Sequence, residues 1–543
     1  MKKKTRNIEE SNNIKYSQWK EKLDWPVFLI SGGILVLFVL MSSIFTKTTS
    51  TLVQKGFQLS ITYFGAFWQV LLLATFAVGA FLAFSKYGRV RLGNASKPEM
   101  GYFRWAAIVI TSGLGAGAIF WAAAEPMYYF IDVPPTMDPN IKNSSTQAIP
   151  AAMAQSFTSW GFTAWAVYGA VSGIIIMYAH YNKNMKMRPR TLLYPIFGSK
   201  IEKNKIGWMI DVFCILGAVA GTIGTIGFFG FQFSYWLHSI FGIPDNIITQ
   251  ILSVAGLMVV VTISATTGID KGIQFLSKLN VWLALALAVF ILLIGPGRFI
   301  IDTFISSYGV YLTHFLEIST FRGDDKWAGA WMLFFFGWFI GYGPLMGMLV
   351  ARVSKGRTIR EIFLLVSIVA AVVSHLWFSI LGGSGLFYET KDSGAISNPL
   401  ADNGLPAAVI SIASHLPLGT ALVIVLLLLT LIFVITTADT MSFSISMSVT
   451  GEGDPPKMIR LFWVVIMGVI SIILINIGEG SINAIQSFII ITAVPISIIM
   501  LPAIWTAPKI AHKLAVEQKI TTENKQDHTK DNILEERSSD NKH

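Results

Sequence analysis

Uninterrupted apolar runs of about 18 to 25 residues recur along this chain, the length a helix needs to cross a hydrocarbon layer roughly 30 Å thick. In lipid every backbone N–H and C=O must find its partner within the segment, so such runs have to be helical. A transmembrane barrel would show short alternating segments instead, and none appear. With 53% hydrophobic and only 13% charged residues, the chain is also too apolar for a soluble globular domain. The expected fold class is an all-α integral membrane protein.

Twelve transmembrane segments are expected. The first four are Val27–Phe45, Ile61–Phe84, Trp105–Phe130 and Ala151–Tyr178. The middle four are Val212–Leu237, Ile247–Ser264, a short Val281–Ile294 and Trp327–Val353. The last four are Ile362–Leu381, Thr420–Ser446, Leu461–Ile477 and Ile485–Trp505. Lys and Arg crowd the loops on one side, as in Lys86, Arg89, Arg91 and Lys97, the run from Lys183 to Lys205, and Arg352 to Arg360. By the positive-inside rule that side is cytoplasmic, and with an even number of spans both termini lie there. This topology accounts for the net charge of +10 better than a nucleic-acid partner does. The stretch Phe299–Thr320, interrupted by Asp302, Ser306, Ser307, Thr313 and Glu317, is expected to lie on the outer surface. Residues 1–26 lack an apolar signal core and read as a cytoplasmic tail, and 509–543 as a second one, helical or extended. The single cysteine, Cys214, lies in an apolar run and allows no disulfide framework or thiolate metal site within one chain.

Two segments are rich in helix-breaking residues at matching depth. The third holds Gly113, Gly115 and Gly117, and the eighth holds Gly337, Gly341, Gly343 and Pro344. Glycine in lipid also serves as a packing surface. The pairing carries more: five segments run from the third to the seventh, and five from the eighth to the twelfth. Two interrupted helices opening each half are the mark of a five-plus-five inverted repeat, with substrate bound where they unwind. The repeats would cover about 103–296 and 327–508 within a transporter domain of 27–508.

The fourth segment carries Trp160, Trp165 and Tyr168, and the eighth Trp338, Phe339 and Tyr342. A quaternary ammonium has no N–H to donate, so aromatic faces are its best ligand, each contact contributing about 0.5–2 kcal/mol. Trp and Tyr ordinarily gather at membrane interfaces, whereas these lie within the spans.

From Lys97 to Pro508 the chain resembles the betaine/carnitine/choline transporter family. The landmarks are Lys97-Pro98-Glu99 through the glycine run to Glu125-Pro126, the Trp160/Trp165/Tyr168 set, the run Ala351 to Thr358, and Phe433 with Thr436 to Asp439. The resemblance implies the sodium/amino-acid symporter-like fold, often as a homotrimer. It implies a trimethylammonium box of Trp160, Trp165 and Tyr168 with Phe339 as fourth wall. The family's eighth-span signature, similar to W-T-x-x-Y-W-x-W-W, here runs from Trp331 to Phe339 with Phe at two of its Trp positions. A Phe wall has the weaker quadrupole, which leaves the substrate open. Thr436 and Thr437 match the family's sodium site, which backbone carbonyls near Thr111, Leu114 and Phe433 would complete. Tyr342 and Met346 look like a sodium-independent exchanger branch, but the Arg which that branch places in the fifth segment is absent. Sodium is therefore the expected coupling ion, with Thr222 and Thr225 as weaker candidates for a second.

Three further polar residues fall in or near spans: Glu125, His375 and Asp439. Each is a candidate for function or for bracing a helix. No phosphate loop, metalloprotease motif or nucleophile elbow occurs, so an enzyme is not expected. The expected function is sodium-coupled import of glycine betaine, choline or carnitine by alternating access. The alternatives are another zwitterion such as taurine or an amino acid, or sodium-independent exchange.

Overall fold

The computed structural model describes residues 23–521 apart from 116, 268–269, 452–454 and 479–481. Of the tails read at 1–26 and 509–543, residues 1–22 and 522–543 lie outside the described residues, while the start of the second continues the helix Ala503–Glu517. Among those described, the chain is helical, with a lone antiparallel bridge between Arg91 and Thr358. Among the described residues nine helices are long and apolar enough to cross a membrane, or up to eleven spans if each of two bent pairs counts as one.

Most helices outrun the apolar runs that announced them. The second segment begins at Thr46 and continues unbroken to Phe84. The fifth extends over Lys205–Phe241 and the tenth over Gly419–Thr450. The seventh, short as read from sequence, is the end of a helix over Asp270–Ile294. After Gly295-Pro296 the chain turns by 105° into Gly297–Thr313. That angle takes the helix off the line of the preceding one.

Burial separates a core from a periphery. The most apolar window of the fifth helix is 89% buried and that of the eighth 94%, against 28% for the first and 33% for the sixth. Helices hydrophobic all round and enclosed by others belong to the centre, whereas the first and sixth offer Leu29, Leu37, Ile248 and Leu252 outward.

Charged loops meet on one face. The backbone of Leu92 donates to Arg357 O at 2.9 Å and accepts from Gly356 N at 2.8 Å, pairing the loop after the second helix with that after the eighth. Asp24, just before the first helix, binds Arg188 at 2.8 Å and Arg190 at 2.7 Å in the loop after the fourth segment. The last helix, Ala503–Glu517, ends beside Gln518, which bonds both backbone groups of Arg91. These contacts gather the loops that flank the first, second, fourth, eighth and last helices. The ninth helix starts here on a capping box: Thr358 Oγ1 accepts from Glu361 N while Glu361 accepts from Thr358 N.

Three features depart from the sequence reading. The fourth segment is a series of short pieces: Ala148–Ser159, Phe162–Ala166, Ser172–Met177 and a π-turn over Tyr178–Asn182. The eighth, expected to unwind at its glycines, is one helix over Met332–Val353 after a break at Trp331. Its glycines are packing surfaces: a Cβ at Gly337 would press on Ile490, and one at Gly343 on Met500 and Val167. Between the ninth and tenth segments a helical pair, Ser397–Asn403 and Leu405–His415, buries most of its second member. Glu389 fixes the turn into it, accepting from Ile396 N at 2.8 Å and Ser397 N at 2.9 Å.

Candidate functional site

The third segment breaks where the glycines stand. Its first half ends at Leu114, and Gly115 adopts φ +56, ψ −172, a conformation essentially closed to residues with a Cβ. A second helix, Gly117–Ile131, follows, and the two axes differ by 58°. Gly113 and Gly117 turn bare backbone toward aromatic rings. A Cβ at Gly113 would run into the ring of Trp165, and one at Gly117 would come within 3.1 Å of Trp338.

Beside this break lies a small cavity lined by Ser112–Gly115, Trp160, Tyr168, Thr225, Trp338, Phe339, Tyr342 and Thr437. The broken fourth segment presents Trp160 at its first interruption and Tyr168 after its second piece, so both rings reach the space. Phe339 stands among three of the expected walls. Its ring centroid is 4.8 Å from Tyr168, 5.7 Å from Trp160 and 5.9 Å from Trp165. Trp338, one position earlier, reaches Trp160 at 6.4 Å and Phe228 at 5.5 Å. Trp165 is fully buried behind the cavity's lining.

Two indole N–H groups fix these walls. Trp165 Nε1 donates to Ser374 Oγ of the ninth helix at 3.1 Å, and Ser374 in turn donates to Ala370 O. Trp160 Nε1 donates to Glu125 Oε2, also at 3.1 Å. Neither acceptor announces this role in the sequence, because the partners are 209 and 35 positions apart.

The polar end is made of hydroxyls. Thr222 Oγ1 donates to Ala218 O at 2.7 Å, which leaves it to accept the Tyr342 hydroxyl at 3.0 Å. Thr437 Oγ1 is buried with no hydrogen-bond partner among the described residues and lies 3.5 Å from where a Cβ on Gly115 would stand. Its neighbour Thr436 donates back into its own helix, to Ile432 O at 2.8 Å and Phe433 O at 3.0 Å. Thr111 does the same to Ala107 O, while its carbonyl accepts the N–H of Gly115. Of the five residues expected at an ion site, Leu114 and Thr437 face the cavity; Thr111, Phe433 and Thr436 do not line it. Met346 is fully buried one turn beyond Tyr342 and stands outside the lining.

The other polar candidates have structural partners. Asp439 pairs with Arg460 of the eleventh helix at 2.6 Å. His375 bonds Phe157 O at 2.9 Å and the Tyr308 hydroxyl at 2.7 Å. A carbonyl only accepts, so Nε2 carries the proton and Nδ1 accepts from Tyr308. That bond ties the helix Gly297–Thr313 to the ninth.

A bundle of buried helices around a broken one, with an aromatic cavity at the break, defines a multi-pass membrane transporter for a small molecule. Residues 26–516 match the profile of "BCCT, betaine/carnitine/choline family transporter", and the chain belongs to that family. Its members are transporters and not enzymes. The chain is 46% identical to "Glycine betaine transporter 2" of Vibrio parahaemolyticus, the match covering 91% of each protein. It is 30% identical to the "Ectoine/hydroxyectoine transporter" of Virgibacillus pantothenticus, over 89% of this chain and 95% of that one. At 30% it is similar also to the "High-affinity choline transport protein" of Escherichia coli K12, over 90% and 72%.

Proposed function

We propose that this protein imports a quaternary-ammonium osmolyte, glycine betaine or choline in the first place and carnitine as a relative, by sodium-coupled alternating access. The observation that carries the reading is the cavity at the Gly115 break, lined by Trp160, Tyr168, Trp338 and Phe339 together with the hydroxyl residues Thr225, Tyr342 and Thr437. Aromatic faces suit a trimethylammonium, and hydroxyls with exposed backbone suit a carboxylate or alcohol. The relatives named for glycine betaine and choline support the same class. Counting the segmented fourth stretch with the eleven crossings gives twelve, in keeping with both chain ends on one, cytoplasmic, face. The five-plus-five inverted repeat belongs to this reading.

Sodium is carried as a second substrate. The unpartnered Thr437 hydroxyl beside the break is the protein atom best placed to ligate it, with Leu114 adjacent. One charge crossing ~100 mV contributes about 2.3 kcal/mol, and a tenfold sodium gradient about 1.4 more. Together they support an accumulation of roughly several hundredfold.

The test is uptake of radiolabelled glycine betaine into proteoliposomes, with an inward sodium gradient or without, challenged by choline, carnitine, ectoine and taurine. Sodium-dependent uptake blocked by choline is expected. Uptake that proceeds equally without sodium removes the coupling. The second reading, a zwitterion without a trimethylammonium, is favoured by Phe339 in a wall where the family carries Trp and by the relative named for ectoine. It wins if ectoine or taurine is transported and glycine betaine is not.

A further inference from the structure

The walls of the aromatic cavity are neutral rings, yet one of them leans on an acid. Glu125 lies outside the cavity's lining, fully buried, one helix turn beyond Trp121. Its Oε2 accepts the indole N–H of Trp160 at 3.1 Å. Tyr129 and Ser159 crowd against the same carboxyl group. Its second oxygen, Oε1, has no closer hydrogen-bond partner than these hydroxyls among the described residues.

The comparison with the other buried acids is direct. Asp211 has the guanidinium of Arg190 at 2.7 Å, and Asp439 that of Arg460 at 2.6 Å. Glu389 is satisfied by a row of backbone N–H groups. Among the described residues no cation of the protein acts on Glu125. An acid buried without a counter-ion is costly as an anion, a cost that a cation seated beside Trp160 would offset. We infer that Glu125 is the fixed counter-charge of the aromatic cavity, a positioning residue that holds Trp160 and makes the cavity select cationic head groups.

Two effects act together. A charge-assisted bond to the indole N–H pushes electron density onto the ring, which makes its face a better seat for a cation. The carboxylate also attracts that cation through space. Across the width of one indole, at an effective dielectric constant of about 20, the attraction corresponds to roughly tenfold in affinity. A quaternary ammonium keeps its positive charge at every pH and has no proton to give, so attraction of this kind is the main way to favour it over a neutral isostere. The inference rests on the quaternary-ammonium reading above.

Choline and glycine betaine separate the two. Both carry a trimethylammonium, but choline has a net positive charge and glycine betaine, with its carboxylate, has none. Wild type is compared in proteoliposomes with Glu125→Gln, Glu125→Asp and Ser374→Ala, each normalised to the amount inserted. Gln keeps an acceptor for Trp160 and removes the charge. Ser374→Ala loosens the other indole with no change of charge. Glu125→Gln should raise KM for choline roughly tenfold and for glycine betaine roughly threefold, with maximal rates within about twofold of wild type. Asp, with the charge kept but drawn back, should give a smaller shift of the same sign, which decides the question alone if Gln does not insert. Ser374→Ala should move both KM values by the same factor. A choline-to-betaine KM ratio unchanged in both Glu125 variants overturns the inference and leaves Glu125 a helix brace. Wild type that carries neither substrate overturns the proposed function and this inference with it.

Discussion

The third and eighth segments are matched in glycine content and depth, yet they fold differently. The third breaks at Gly115, where a positive φ sends the chain out of the helix, and its two halves diverge by 58°. The eighth runs straight through Gly337, Gly341, Gly343 and Pro344. The missing N–H of Pro344 is tolerated because neighbouring helices enclose that turn. The contrast teaches that a glycine in lipid does one of two jobs: it frees the backbone, or it lets another helix approach. At the cavity the jobs are complementary. The third segment contributes backbone, and the eighth contributes the side chains of Trp338, Phe339 and Tyr342, held in register because their helix does not break.

The sharpest way to break this contrast is a methyl group at Gly113. A Cβ there would collide with the Trp165 ring, which is locked by Ser374, and come within 3.2 Å of Tyr168. Gly113→Ala should therefore reduce uptake by roughly a hundredfold or more, the cost of a well-packed core forced apart by about 3 kcal/mol. Protein should still reach the membrane, since the segment's apolar length is unchanged. Initial uptake rates normalised to surface protein measure this, and near-normal transport would mean the two walls do not close on the third segment.

The second effect is smaller and concerns two adjacent hydroxyls. Thr437 Oγ1 is orphaned beside the break, whereas Thr436 Oγ1 is bonded within its own helix. Thr437→Ala should raise the sodium concentration for half-maximal uptake about tenfold, as expected for loss of one oxygen ligand to a charge. Thr436→Ala should change it about twofold or less. Sodium titrations of uptake at saturating organic substrate separate the pair; equal shifts would make the structural distinction between them irrelevant to the ion.

Much of the fold was legible in the sequence because lipid imposes one rule on the backbone. Apolar runs located the segments, and the clustering of Arg91, Arg188 and Arg357 anticipated loops that meet on one face. Helix ends were less legible, since the second helix begins in Thr46–Ser60, a stretch too polar to register as a span. The breaks in the fourth segment were not legible at all. Gly161 sits against the Tyr311 hydroxyl and Phe157 O, contacts with a distant helix and a preceding turn that no local pattern records. The aromatic walls were legible by type and position. Their supports were not, because Ser374 and Glu125 come from other helices. Met346, expected only from the resemblance to an exchanger branch, lies one turn beyond Tyr342 in an unbroken helix and outside the cavity's lining.

The smallest effect is expected at Gly341, and it bears most directly on the comparison. A Cβ there would meet the carbonyl of Gly217 at 3.6 Å, an ordinary contact, and no other close neighbour. Alanine also favours a helix over glycine by about 1 kcal/mol, so Gly341→Ala should leave uptake within about twofold of wild type and stabilise the protein slightly in detergent. If the eighth segment has to unwind during transport, the same substitution would resist that step and lower the maximal rate while binding stays intact. Uptake rate and melting temperature, measured together on this one variant, therefore tell whether the glycines of the eighth segment are packing surfaces throughout the cycle.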